Sequence, residues 1–229
     1  MQRGLDLLLK KYSVNAAGKI KNAHTAEIDG EEYPLLPWES ERKFAELKNI
    51  AAGRLGNPCT YRVAHSVAQG GDVFEVLRRE AGVVEFTVNS AVKEVFAIGG
   101  KDVLNAVLET ENGYVCTLEI AATLPKGERE IEKHEIITDN GAACDMVVDT
   151  QVPQSSVYVF DGVKKQFTDV DAELYGYGAD EVAAIRNAFE LCRDEKRRAH
   201  NKKQAEHLDA VIAAAKRSLQ ETENIKVVD

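Results

Sequence analysis

The chain has 229 residues, of which 44% are hydrophobic and 29% charged, so it can form a sizeable core and is not expected to be disordered. Its formal net charge of −9 argues against nucleic acid or an anionic membrane as its main partner. No apolar run approaches the roughly 20 residues that span a bilayer, and the N-terminus lacks a signal-peptide core. We therefore expect a cytoplasmic protein that is not inserted in a membrane.

The first third of the chain predicts two helices separated by a hairpin. Residues 1–12 have the pattern of a short amphipathic helix. Residues 19–36 alternate around Asp29-Gly30, a strong two-residue turn signal. A helix with an apolar face follows from about residue 38 and ends at Gly53 and Gly56.

The next segment predicts a strand and two helices. Residues 60–67 read as a strand that Gly70-Gly71 breaks, and Asp72 can cap a short helix ending near Arg79. Residues 82–100 carry apolar side chains at a four-residue period, which predicts a second helix there. These apolar residues are Val84, Val88, Val92 and Phe96, with Val95 beside them.

Residues 102–168 are rich in strand patterns and contain three hairpin signals in succession. The signals are Asn112-Gly113, Asn140-Gly141 and Asp161-Gly162, which predict a largely antiparallel meander. Two helices at about 178–195 and 199–221 and a strand at 225–228 close the chain. The expected fold is α+β, a largely antiparallel sheet with helices packed on one face.

Four segments in this order resemble the Gfo/Idh/MocA (glucose–fructose oxidoreductase / inositol dehydrogenase) family. They are residues 38–63, 82–100, 112–125 and 205–228. The resemblance implies that 38–229 is the family's dihydrodipicolinate-reductase-like C-terminal domain, which binds substrate and forms oligomers. Residues 1–37 would then be an N-terminal helix, hairpin and linker.

The nucleotide-binding half of that family has no counterpart in the chain. We find no strand followed by G-x-G-x-x-G and a helix; the nearest string, Gly176 to Glu181, has Glu in place of the third Gly. The chain alone should bind no cofactor. The resemblance implies NAD or NADP in a Rossmann domain supplied in cis or in trans, a sugar or cyclitol substrate, and a homodimer formed through the sheet.

The resemblance also implies a substrate-binding pair on the predicted 82–100 helix. Glu85 and Asn89 match the family's Asp and its catalytic His four residues later. Asparagine cannot replace histidine in proton transfer, because an amide does not titrate near neutral pH. The pair either binds substrate hydroxyls or is a polar helix face.

Three further residues are candidates for the site. His65, near a strand end before a glycine loop, is either the proton-transfer residue that compensates for Asn89 or a surface histidine. Arg78 and Tyr175 either contact substrate or serve as a solvated helix end and a loop anchor. His134 is expected at an exposed or interface strand position. Scattered cysteines and isolated histidines predict no metal site.

Two functions remain open at this point. The first is the substrate-binding and oligomerisation domain of an NAD(P)-dependent sugar or cyclitol oxidoreductase, incompetent in catalysis alone. The second is a free-standing, non-catalytic binding or assembly subunit with a degenerate active site, which the amide at Asn89 favours.

Overall fold

The computed structural model describes residues 1–145, 156–160, 162, 164–168 and 171–228. These residues divide into two compact units, each built from two segments: unit 1 from 1–42 and 170–207, and unit 2 from 43–169 and 208–229. The domain division predicted after residue 37 stays a prediction, since compactness alone does not define a family domain. None of the described helices is long and apolar enough to cross a membrane.

The predicted elements are largely present, with bounds that differ by a few residues. The helices are α1 (Gln2–Lys11), α2 (Arg42–Asn49), α3 (Val73–Val88), α4 (Ala179–Arg193) and α5 (Glu195–Glu221), with a 3-10 turn at Pro37–Ser40 and a π turn at Ile50–Arg54. The strands are β1 (Gly18–Asn22), β2 (Thr25–Ile28), β3 (Glu31–Pro34), β4 (Pro58–Ala68), β5 (Val92–Gly99), β6 (Val103–Thr110), β7 (Val115–Leu124), β8 (Ile131–Thr138), β9 (Gly141–Cys144), β10 (Ser156–Phe160), β11 (Lys164–Thr168) and β12 (Ile225–Lys226).

Unit 1 contains α1, α4 and an antiparallel sheet of β1, β2 and β3. The predicted hairpin turn is confirmed, because Asp29 and Gly30 both adopt positive φ, as a type I′ turn requires. Leu5, Leu8 and Phe189 pack with the sheet residue Ile28 in one buried cluster. The predicted helix at residues 1–12 therefore buries its apolar face within unit 1.

Unit 2 contains the larger sheet, whose strand order is β11-β10-β9-β8-β4-β7-β6-β5-β12. All pairs in this described sheet are antiparallel except β4 with β7. The α+β fold with a largely antiparallel sheet is thus confirmed. The predicted simple meander is wrong at one place, because β4 lies between β7 and β8 and separates them. Part of the predicted 143–150 strand and of the Asp161-Gly162 turn lies outside the described residues.

The predicted helix over residues 82–100 is also wrong, since α3 ends at Val88, Asn89 caps it and β5 follows. Asn89 adopts the left-handed conformation that ends a helix, which asparagine tolerates better than most residues. The pairing of β5 with β6 shifts register between Val92 and Glu94, so Val92 and Val95 both point inward. This bulge gives a strand an apolar spacing that resembles a helical one.

Helix α3 packs on one face of the sheet against β4, β6 and β7. Leu77, Ala81 and Val84 are buried on its inner side, and Asp72 caps its start by accepting the Phe74 backbone N–H at 2.8 Å. The helix is longer than predicted, because no capping or glycine signal stops it at Arg79. Its inner face therefore crosses the middle strands, where the polar residues described below meet.

We expect the Asp72 cap of α3 to contribute measurably to the stability of the protein. Replacing Asp72 with alanine removes the acceptor for one of the first N–H groups of α3 and should lower the free energy of unfolding by about 1 kcal/mol. Asp72→Asn keeps a capping oxygen and should retain most of this stabilisation. Urea denaturation of both variants measures the difference, and equal loss in the two would contradict the capping role.

Candidate functional site

A buried group of ionisable side chains lies between α3 and the sheet of unit 2. We call it the ionic cluster; its members come from α2, α3, β4, β8 and the residue after β9. They are Lys43, His65, Arg79, Glu80, Glu132, His134 and Asp145.

Glu80 joins the two histidines of the ionic cluster. One carboxylate oxygen lies 2.7 Å from Nδ1 of His65, and the other lies 2.7 Å from Nε2 of His134. Glu80 and His134 are fully buried and His65 is 2% exposed. On its other side, His134 Nδ1 lies 2.6 Å from Asp145, which also accepts the His134 backbone N–H at 2.5 Å. The result is a continuous line of carboxylates and imidazoles.

Two cations complete the pairing of the carboxylates. Arg79 pairs with Glu80 and, at 3.0 Å, with Glu132. Lys43 pairs with Glu132 and lies 3.5 Å from Asp145. Each buried carboxylate therefore has a cationic or imidazole partner, which is the condition for keeping charge inside a protein.

The strand register explains how the sequence brings these groups together. Val63 pairs with His134 and His65 with Glu132 on the adjacent antiparallel strands β4 and β8. Alternate residues of each strand point to the same face, so His65 and His134 both face α3. Glu80 lies on the inner side of α3, one turn after the buried Leu77, and so points at them.

The ionic cluster favours the charged forms of its members. Burial disfavours the imidazolium of His134, but the charges of Asp145 and Glu80 and hydrogen bonds to both outweigh it and raise the pKa of His134 to about 9. Burial also disfavours the imidazolium of His65. The hydrogen bond with Glu80 and the charge of Glu80 nevertheless raise the pKa of His65. His134 is thus protonated at neutral pH, and the raised pKa of His65 favours its imidazolium form.

The pKa values of two carboxylates in the cluster are lowered, which also favours their charged forms. Burial would raise the pKa of Glu80, but Arg79, His134 and the hydrogen bonds from the two histidines hold it well below its ordinary value. Burial likewise opposes ionisation of Glu132, yet Arg79 and Lys43 lower its pKa to about 2. Glu80 and Glu132 are therefore ionised over the physiological pH range.

His65 is the member of the cluster that contacts an exposed loop carboxylate outside it. Its Nε2 atom lies 3.2 Å from Glu130, whose side chain is 64% exposed in the loop between β7 and β8. The Nδ1 atom on the other side of the ring is held by Glu80. A histidine oriented by a carboxylate, with its second nitrogen facing outward, is a common arrangement for contact with a substrate oxygen.

One subset of the ionic cluster has donor atoms close enough for a metal ion. The donor atoms of His65, Glu80 and Glu132 lie within 4.8 Å of one another. The Arg79 guanidinium pairs with both of these carboxylates and supplies the positive charge that an ion would bring. The donor set therefore fits an internal ion-pair network better than a metal centre.

Glu85 and Asn89 adjoin each other but have different structural roles. Glu85 is buried, and its carboxylate accepts the Val92 backbone N–H at 2.6 Å, which fixes the turn from α3 into β5. Asn89 is exposed, and its left-handed backbone ends the helix. Their predicted role in binding substrate stays a prediction, with Glu85 committed to this turn.

Arg78 and Tyr175 lie in different units. Arg78, in unit 2, points away from the ionic cluster and binds Asp209 of α5 at 2.9 Å, beside a groove that Lys216 and Phe74 also line. Tyr175, in the loop before α4 of unit 1, is 88% exposed. Their roles as substrate contacts stay predictions.

The structure corrects two interpretations of histidines and adds residues that the sequence analysis missed. His134 is buried, not exposed or at an interface, and the surface alternative for His65 is wrong. Glu80 and Asp145 were missed altogether. The signal for the histidines was present: His65 alternates with the apolar Tyr61, Val63 and Val67, so a period of two places it inside.

Comparison with known proteins finds similarity of fold only. No protein-family model and no curated protein sequence matches the chain. Its fold is similar to a myo-inositol dehydrogenase from Corynebacterium glutamicum, with a TM-score of 0.62 and 13% identity over 85% of this chain and 64% of the other.

Two further matches have the same character. An NAD-binding oxidoreductase from Klebsiella pneumoniae has a TM-score of 0.64 and 14% identity, covering 85% of this chain and 65% of its own. GenD2 of gentamicin A biosynthesis, solved in complex with NAD, has a TM-score of 0.61 and 13% identity over 85% and 63%. The chain thus has the fold of the Gfo/Idh/MocA-type oxidoreductases, as its sequence predicts, and spans less than two thirds of their length.

Proposed function

We propose that a chain with this oxidoreductase fold is the substrate-binding and oligomerisation domain of an NAD(P)-dependent enzyme that acts on a sugar or cyclitol. The observation that carries the proposal is the partial match: 84–85% of this chain aligns with only 63–65% of the similar dehydrogenases. In the proposal a Rossmann domain, in cis or in trans, supplies the nucleotide. A cytoplasmic location stays a prediction.

His65 is the residue of this domain that we assign to the substrate. Its Nδ1 is fixed by the buried Glu80, so the ring cannot turn freely, and its Nε2 faces the exposed Glu130. Both ring nitrogens lie next to carboxylate oxygens, which favours the imidazolium with two N–H donors, and the pKa of His65 is raised accordingly. His65 therefore suits donation of a hydrogen bond or proton to a substrate oxygen better than it suits abstraction of a proton.

The experiment that tests this proposal is isolation of the native gene product from its source cells. Intact mass spectrometry after size separation should find either a longer polypeptide or a co-purifying nucleotide-binding chain, and the preparation should reduce NAD⁺ or NADP⁺ with a sugar or cyclitol. A product of this length that purifies without a nucleotide-binding chain and without such activity would contradict the proposal.

The outward face of the large sheet, opposite α3, is the surface that we assign to oligomerisation. Arg62 pairs there with Glu135 at 3.2 Å, within a patch of exposed apolar side chains. A twofold pairing of this patch with a second copy would bury the apolar residues and allow each ion pair to meet its counterpart. The apolar residues are Ile98, Val103, Val107, Val115 and Ile131.

This assignment predicts the effect of a charge at the centre of the patch. Val107 is 38% exposed and pairs with Thr117 of β7. Val107→Glu should weaken dimerisation at least about tenfold, because two carboxylates would be buried against each other. Analytical ultracentrifugation over a concentration series measures this. Leu7→Glu, an exposed apolar position on α1, is the matched control; a wild-type chain that is monomeric at micromolar concentration would refute the assignment.

A second candidate function is a non-catalytic assembly subunit. The observation that favours it is the full internal pairing of the ionic cluster, together with the structural use of Glu85. In that case the native product would be a homo-oligomer of this chain without nucleotide-dependent activity, which the isolation experiment distinguishes.

A further inference from the structure

The contact between His65 and Glu130 joins a buried imidazole to an exposed loop carboxylate. His65 is 2% exposed, whereas the Glu130 side chain is 64% exposed and lies outside regular secondary structure. Of the two ring nitrogens, Nδ1 is committed to Glu80, so Nε2 is the one that can exchange its partner. Glu130 thus holds the place at Nε2 that an incoming ligand would need.

Breaking this contact costs the two side chains different amounts of free energy. If Glu130 swings away, its carboxylate is hydrated as any surface glutamate would be. The buried imidazolium of His65, in contrast, loses an acceptor that water replaces only in part. An incoming ligand must therefore supply an acceptor oxygen, and a negative charge on that oxygen makes the hydrogen bond shorter and stronger.

We propose that a small monocarboxylate, such as a sugar acid, binds beside His65 by displacing Glu130, with its carboxylate at the position of the Glu130 carboxylate on Nε2. The identification of this ligand as the substrate rests on the proposed function; the binding site itself does not. The reacting hydroxyl is then elsewhere on the same molecule, and His65 fixes its orientation.

The charged groups around His65 favour a ligand with one negative charge over a neutral ligand or a dianion. A neutral sugar hydroxyl would leave the imidazolium without the countercharge that Glu130 supplies. A phosphate dianion would bring a second charge close to Glu80 and Glu132, which already lie in the same cluster. A carboxylate reproduces the charge and the geometry of the group it displaces.

The test is calorimetric titration of the isolated chain with D-gluconate. Removal of the internal competitor in Glu130→Ala should tighten gluconate binding at least about tenfold relative to the wild type. Glu128→Ala removes the same charge from the same exposed loop and should leave gluconate affinity at the wild-type level. D-Glucose and inorganic phosphate, titrated into Glu130→Ala, should bind at least about tenfold more weakly than gluconate.

Several results would overturn the proposal. These are no gluconate binding to Glu130→Ala, equal gains in the Glu130→Ala and Glu128→Ala variants, or affinity for glucose or phosphate that equals that for gluconate. A second measurement locates the site: gluconate should shift the imidazole Nε2 resonance of His65 in nitrogen-15 spectra of Glu130→Ala, and an unmoved resonance counts against the proposal even if heat is released. No nucleotide is used, so failure here leaves the oxidoreductase proposal standing, and failure of the isolation experiment leaves the binding result standing.

Discussion

Replacing Glu80 with glutamine is expected to lower the free energy of unfolding at pH 7 by about 3–5 kcal/mol. Glu80 is fully buried and is the common partner of His65, His134 and Arg79. The amide keeps the shape but removes the charge, so three buried or half-buried cations lose their shared countercharge. Urea denaturation at constant pH measures the loss.

A matched substitution shows whether the effect belongs to the ionic cluster. Glu75 lies on the same helix but is exposed, and Glu75→Gln should change the free energy of unfolding by no more than about 0.5 kcal/mol. A loss for Glu80→Gln that is as small as the control value would mean that the cluster contributes little and that its charges are compensated elsewhere.

Raising the pH from 7 to above 9 should destabilise the protein by about 2 kcal/mol through His134. The pKa of His134 is about 9 in the folded chain, against an ordinary value of 6.5. A raised folded-state pKa means that the stabilisation is fully present below about pH 6.5 and is lost as the pH rises through about 9. His65, whose pKa is also raised, changes stability in the same direction.

The assignment to His134 is checked by comparing pH profiles. His134→Gln should be less stable than the wild type at neutral pH, and its stability should fall less between pH 7 and 9.5. His200→Gln, at a half-exposed helix position, should keep the wild-type slope. Parallel profiles for the wild type and His134→Gln would show that the slope has another origin.

The fold was predictable from the sequence wherever the signal was local. Turn residues such as Asp29-Gly30 and caps such as Asp72 act through neighbouring backbone groups, and the structure has them in the predicted roles. The helix over residues 82–100 failed because a bulge let Val92 and Val95 both point inward, so a strand imitated helical spacing. The spacing of apolar residues indicates which residues are buried. It does not by itself distinguish a helix from a bulged strand that buries the same positions.

The ionic cluster was less predictable because its contacts are distant in sequence. His65 and Glu80 are fifteen positions apart and Glu80 and His134 fifty-four, so only the insertion of β4 between β7 and β8 brings them together. The sequence identified His65 as a candidate but gave no register for β4. Without that register, Glu80 reads as an ordinary charged helix residue and His134 as an exposed one.

The central position of β4 also constrains how the sheet can form during synthesis. Its two neighbours, β7 and β8, emerge from the ribosome about 55 and 70 residues later, and the edge strand β12 contains Ile225, close to the end of the chain. Until β8 is made, one edge of β4 stays unpaired and Glu80 has only His65 of its two histidine partners. The sheet of unit 2 therefore forms mainly by pairing of segments that are distant in sequence, and we expect it to fold slowly.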